Sequence, residues 1–352
     1  MKFSVYSEIQ NWEGKDPARQ YEEVLEQMVH ADRLGYDAYA VIEHNYFPQF
    51  SISANPWVLF GRAFEKTNQI TFRSMGHVLP YINPTWLASA MAAASVMLEG
   101  RYEAGLLRGH GWLPTKTGVP VRDTRSLYEE SLEIIIAALG NESFSYSGEH
   151  FEIDECHVVP RPNGRIPIYL GGTSDRTYEL AAEQGWGVAV PPLLPYAALA
   201  EQMDLYRAKC AEHGTEPYIV WIHACYIDED RDKAWHEAEK GMRQFLEGNA
   251  SPLVSGQKLS PKEDMEAAGY GFYLSGIMEN LAKMPYDEMI EGDVVWVGTP
   301  DEVIKRIEEV REVCDGLSEV AITVNPGGFD HWQSIKAQEL FADTVMPHFR
   351  NA

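Results

Sequence analysis

Short apolar runs and amphipathic stretches alternate along almost the whole chain. The runs at 2–7, 38–42, 70–75, 102–107, 166–171, 186–190, 219–227 and 319–324 are too short for helices, and no hairpin fits between neighbours, so they predict parallel strands. Segments 19–34, 57–66, 84–98, 126–139, 175–184, 196–213, 229–246, 300–313 and 331–346 read as helices. Gly35, Gly140, Gly185 and Gly214 follow helix-like segments, where a left-handed cap is needed. Thr299-Pro300-Asp301-Glu302 is a helix start, with a Thr cap, Pro at the first position and acids in the first turn.

Eight strands separated by helices, with no repeat and no linker, predict an α/β fold: a single (β/α)8 TIM-type barrel over residues 1–352. A doubly wound sheet is the runner-up. Two stretches exceed a minimal barrel. Residues 141–165 contain Tyr146-Ser147-Gly148-Glu149-His150-Phe151, which looks like a hairpin before the fifth strand. Residues 248–291, rich in Gly, Ser and Met, form the largest insertion, between strands seven and eight. An insertion of that length suits a mobile lid.

Composition narrows the function classes. Hydrophobic residues at 45% and aromatics at 11% can fill a large core. A net charge of −24 argues against nucleic acid, which needs clustered Lys and Arg, and against an anionic membrane surface. Cys156, Cys210, Cys225 and Cys314 form no CxxC pair, so neither a zinc ribbon nor a disulfide framework is expected. The first eight residues lack the apolar core of a signal peptide, and no window reaches the ~20 apolar residues of a spanning helix. The expected location is the cytoplasm.

In a parallel barrel the strand ends meet at one mouth, so the residues that follow each strand are the candidates for chemistry. They are Glu43 and His44, Gly76 and His77, Arg108 with His110 and Trp112, Gly171-Gly172-Thr173-Ser174-Asp175, and His223. Gly172 lets backbone approach a ligand, Thr173 and Ser174 open a helix whose free N–H groups favour an anion, Thr177 adds a hydroxyl, and Arg108 can grip phosphate oxygens. A plain helix cap after a tight turn explains the same residues about as well. His44 titrates near neutral pH and suits acid or base work, although a strand-end histidine is more often structural. Neither HxH nor HExxH occurs, so no metal is expected, and GxGxxG and GxxxxGK[ST] are absent too.

Taken in order, several segments resemble the bacterial luciferase-like flavin-dependent oxidoreductases. These are residues 1–7, Val41-Ile42-Glu43-His44, Val78-Leu79-Pro80 with Pro84, and Gly100-Arg101-Tyr102 leading to Gly105-Leu106-Leu107-Arg108-Gly109. They continue through Pro167-Ile168-Tyr169, Ser174, Glu179 with Ala181-Ala182, Val297-Gly298-Thr299-Pro300 and Val345-Met346-Pro347. The resemblance implies a barrel that takes reduced flavin mononucleotide (FMN) at its mouth, usually within a homodimer. It puts Arg108, Thr173, Ser174 and Thr177 on the phosphate with Leu107 and Gly172 beside them, and His44 at the catalytic position. It places Met75–Gly76 where a non-proline cis peptide supports the flavin ring, and makes 248–291 the shielding lid. Glu43, His77, His110, Trp112 and His223 are left as candidates for the substrate pocket.

Leu107, Asn45, Ser95 and Leu98 depart from the luciferases proper, so flavin binding carries over without light emission or an aldehyde substrate. The expected activity is a monooxygenase that receives reduced FMN from a separate reductase and oxygenates a small organic substrate with O2 through a flavin peroxide. The alternatives are hydride transfer with the deazaflavin F420 and a flavin-binding relative without turnover.

Overall fold

The computed structural model describes residues 1–12, 14–172, 174–190 and 196–350. The strands are β1 (Lys2–Ser7), β2 (Ala38–Val41), β3 (Thr71–Val78), β4 (Tyr102–Leu107), β5 (Phe144–Ser147), β6 (Glu152–Cys156), β7 (Ile168–Gly171), β8 (Gly187–Val190), β9 (Ile219–Ile227), β10 (Trp296–Gly298) and β11 (Leu317–Thr323). Hydrogen bonding runs β1-β2-β3-β4-β7-β8-β9-β11 and returns from β11 to β1, all parallel. That closes an eight-stranded barrel with helices around it, as expected. β5 and β6 form the antiparallel hairpin within 141–165. β10 extends the edge of β9 and was not legible, because three residues make too short a run.

Alternation along the strands separates two layers of side chains. Phe3, Val5, Phe72 and Trp221 belong to the main apolar cluster beneath the helices. Tyr6, Ala40, Met75, Val220, Ile222 and Ala321 form a second cluster inside the barrel. The interior also holds an ion cluster: buried Arg73 donates to buried Glu319 at 2.7 and 3.0 Å and to the part-buried Glu103 at 2.6 Å.

Helix signals behave as the sequence suggested at several ends. Asp16 caps helix Pro17–Leu34 and Gly35 closes it in the left-handed conformation, while Thr299 and Glu302 make a reciprocal capping box on Pro300–Val313. The helix expected to end at 246 runs from Arg231 to Val254, because Gly248 marks a close approach: a Cβ there would lie 2.3 Å from the Gln49 carbonyl oxygen. Beyond it, residues 255–291 are largely helical rather than irregular, with Lys262–Ala267, Gly271–Leu274, Ile277–Leu281 and Tyr286–Glu291 in short turns of helix. Among the described residues no helix is long and apolar enough to cross a membrane.

Candidate active site

His44 lies three residues past β2, where its backbone N–H donates to the Ser53 carbonyl at 2.8 Å. Its ring is buried and walled by other rings. Phe50 lies 4.1 Å away between centroids, His110 5.5 Å, Trp112 6.1 Å and Phe47 6.2 Å. The Trp112 indole N–H donates to His44 Nε2 at 3.3 Å, and His44 Nδ1 has no hydrogen-bond partner among the described residues. Burial, with a smaller push from His110, holds the His44 pKa well below the ordinary histidine value. Its imidazole is therefore neutral at physiological pH.

His110 lies face to face with Trp112, 4.4 Å between centroids and 6° between planes, and its Nδ1 meets the Tyr273 hydroxyl at 3.0 Å. Burial drives its pKa down to about 4, so it too is neutral. Tyr273 and Leu259 bring the segment after the long helix onto the barrel-mouth cluster. Arg108 fastens the same segment. Its guanidinium donates to the carbonyls of Ala268 and Gly269 and lies 4.1 Å over the Tyr270 ring. A second tie joins Arg122 to Asp264 at 2.8 Å.

The floor of this region includes Met75, buried in the interior cluster, and the Met75–Gly76 peptide is cis. Gly76 is required by packing: a Cβ would lie 2.4 Å from the Gly105 carbonyl oxygen on β4. Past β7, the Ser174 hydroxyl accepts from the Thr177 N–H at 3.4 Å, lies 2.8 Å from the Thr177 hydroxyl, and so caps helix Asp175–Gln184. The Tyr178 hydroxyl holds the Gly172 carbonyl at 3.0 Å, and Leu107 lies over Gly171. Thr173 lies outside the described residues. Among the described residues, no hydrogen bond joins Arg108 to the Ser174–Thr177 cap; Arg108 is held by Ala268 and Gly269 instead.

Three candidates lie away from the ring-walled site. His77 is fully buried between β3 and helix Pro56–Phe64, with its ring 4.7 Å from Trp57, Nδ1 on Glu43 at 2.5 Å and Nε2 on the Tyr102 hydroxyl at 2.8 Å. Glu43 thereby serves His77 and not its neighbour His44, because adjacent residues of an extended chain point to opposite sides. His223 stacks on Trp296 at 4.2 Å, on the helix side of β9, since Val220 and Ile222 fill the inward positions; burial lowers its pKa to about 3. The sequence reading missed Phe47, Phe50 and Tyr273 as walls. Phe47-Pro48-Gln49-Phe50 directly after the histidine was the available signal for the first two.

Among the described residues, the acid and imidazole side chains that come close enough together to hold a cation, Glu130, Glu149 and His150, lie at the hairpin and not at the mouth. Backbone N–H groups of Glu149, His150 and Phe151 already donate to Glu130 there.

Comparisons with known proteins agree with this architecture. The alkanal monooxygenase alpha chain of Photobacterium leiognathi is 24% identical over 354 residues, spanning 95% of this chain and 96% of that one. Among solved structures, the oxygenating constituent of 3,6-diketocamphane monooxygenase from Pseudomonas putida, in complex with FMN, aligns with a TM-score of 0.79 at 20% identity, covering 99% of this chain and 98% of that one. An F420-dependent secondary alcohol dehydrogenase aligns with a TM-score of 0.71 at 19% identity, covering 97% of each chain. The sequence profile of the luciferase-like monooxygenases matches residues 1–315, and this chain belongs to that family of oxidoreductases.

Proposed function

We propose that this protein is the oxygenating component of a two-component monooxygenase that uses reduced FMN and O2 on a small organic substrate. The observation that carries the reading is His44: a neutral histidine enclosed by rings, with one ring nitrogen that no described residue pairs. Buried polar atoms are normally paired, so an orphan at a strand end is a place for something to bind. Reduced flavin supplies the two electrons with which O2 places one oxygen atom in a substrate and releases the other as water.

The chain's own groups fit that cofactor. Ser174 and Thr177, with Thr173, hold the phosphate at the start of helix Asp175–Gln184, and Arg108 supplies the countercharge. Phe47, Phe50, Trp112 and Tyr273 offer apolar walls and exclude water. Residues 255–291, the part of the expected lid that lies beyond the long helix, act as the lid, and the missing nicotinamide fingerprint fits an external reductase. A homodimer in the cytoplasm is the proposed setting.

Rapid mixing of the reduced-FMN-loaded protein with O2 tests this reading. A transient absorbance distinct from reduced and oxidised flavin is expected, and His44→Ala should shorten its lifetime. One-step oxidation to flavin and hydrogen peroxide, unchanged in the variant, overturns it. The likeness to an F420-dependent enzyme supports a second reading, hydride transfer. The net charge of −24 makes an anionic polyglutamate tail less favourable, so fluorescence quenching should give tighter binding of FMN than of F420.

A further inference from the structure

Indole nitrogen is a donor only, because its lone pair belongs to the ring. The 3.3 Å bond from Trp112 to His44 Nε2 therefore requires a lone pair at Nε2. In a neutral imidazole the proton then sits on Nδ1, the ring atom without a partner. The indole cannot turn its N–H elsewhere without displacing its neighbours. His110 covers one face, and Phe50 and Tyr273 stand edge-on at 5.6 and 5.2 Å.

We propose that Trp112 is a positioning residue that locks His44 in its Nδ1–H tautomer, so that the histidine enters the reaction as a neutral hydrogen-bond donor and not as a base. The role in the reaction rests on the flavin-site reading above; the tautomer does not. A base must present a lone pair to its substrate, and the only lone pair on this ring is covered by the indole. What remains is an N–H whose natural ligand is an oxygen acceptor: a carbonyl, or an oxygen that gains negative charge as the reaction proceeds. The ionisable side chain whose ring faces His44 is His110, itself neutral, and Phe47, Phe50 and Trp112 carry no charge. Among the described residues no carboxylate hydrogen-bonds His44, and its neighbour Glu43 is committed to His77.

Nitrogen-15 NMR of histidine-labelled protein, without flavin, reads the tautomer directly. The eleven histidines are sorted by the signal lost in His44→Gln. Expected is a proton on Nδ1 and a bare, hydrogen-bonded Nε2, unchanged from pH 6 to 8. In Trp112→Phe the tautomer preference should collapse, and the His44 pKa should rise because the bond to the neutral form is gone. A proton on Nε2 in the wild type, an imidazolium at pH 7, or an unchanged spectrum in Trp112→Phe overturns the proposal. If Trp112→Phe does not fold, the wild-type spectrum alone decides. Rapid mixing with O2 adds a second readout: Trp112→Phe should shorten the lifetime of the transient, as His44→Ala does. Loss of the flavin reading leaves the spectral result untouched, so the two failures are distinguishable.

Discussion

Two fully enclosed carboxyl groups, Glu8 just past β1 and Glu319 within β11, are driven in opposite directions by what surrounds them. Burial would raise Glu319, but the Arg73 fork and the hydroxyls of Ser4 and Tyr218 hold it below the usual carboxylate value. Its contribution to stability is present above the unfolded-state value of ~4.3 and is lost as pH falls through the depressed folded one. Glu8 has only the neutral amides of Gln10 and Asn249, at 3.0 and 3.1 Å, and burial raises it to about 8. The folded state then binds a proton that the unfolded state releases, so its contribution is complete below pH ~4.3 and is lost as pH rises to about 8. Glu8→Gln keeps an acceptor for both amides and has no charge to bury. The unfolding free energy should equal that of wild type near pH 4 and exceed it by about 2 kcal/mol or more at pH 8. A constant difference across that range would mean that Glu8 is ionised in the fold. Neither carboxyl's environment was legible, because Arg73 and Glu319 are far apart in sequence and the partner Asn249 lies on a helix expected to have ended. His44 was legible as a strand-end histidine; its tautomer depends on Trp112, which no local pattern connects to it.

Strands were the easiest elements to find, since a parallel strand covered on both faces is a continuous apolar run. Direction along a strand was harder. His77 follows a register shift between Ser74 and His77, which puts it against the helices, and His223 holds an outward position that Val220 and Ile222 already implied. The segment after Val254 was harder still, because its short helices are held by contacts with the barrel and not by their own length. Arg108 is the main fastener. Its forked bonds to Ala268 and Gly269 and its contact with Tyr270 together contribute about 2 kcal/mol to keeping the segment down. Arg108→Ala should raise proteolytic nicking within 255–275 about 30-fold in the intact protein, with the barrel midpoint unchanged. Tyr270→Ala, which keeps the cation, should give a smaller increase. Equal nicking in wild type and both variants would show that the apolar contacts of Leu259, Met265 and Tyr273 hold the segment unaided.

At the scale of the whole molecule, helix Pro84–Met97 is apolar on every side, unlike a helix that faces solvent. One face packs through Leu87, Ala88 and Met91, while Trp86 is 77% exposed and Met97 72% exposed. Val58 on the neighbouring helix Pro56–Phe64 is 68% exposed, so large apolar side chains on consecutive helices meet water. Two copies joined through these side chains would give the proposed homodimer and bury them. Association must also overcome repulsion between chains that each carry −24, which salt screens within about 10 Å at 0.1 M. Sedimentation should therefore show a dimer that tightens as salt rises from about 0.05 to about 0.5 M. Trp86→Glu should give monomers that keep their FMN affinity, because the substitution adds charge to the apolar face and leaves the phosphate and ring contacts alone. A wild type that is monomeric at micromolar concentration in high salt, or a Trp86→Glu variant that remains dimeric, would remove this face as the interface.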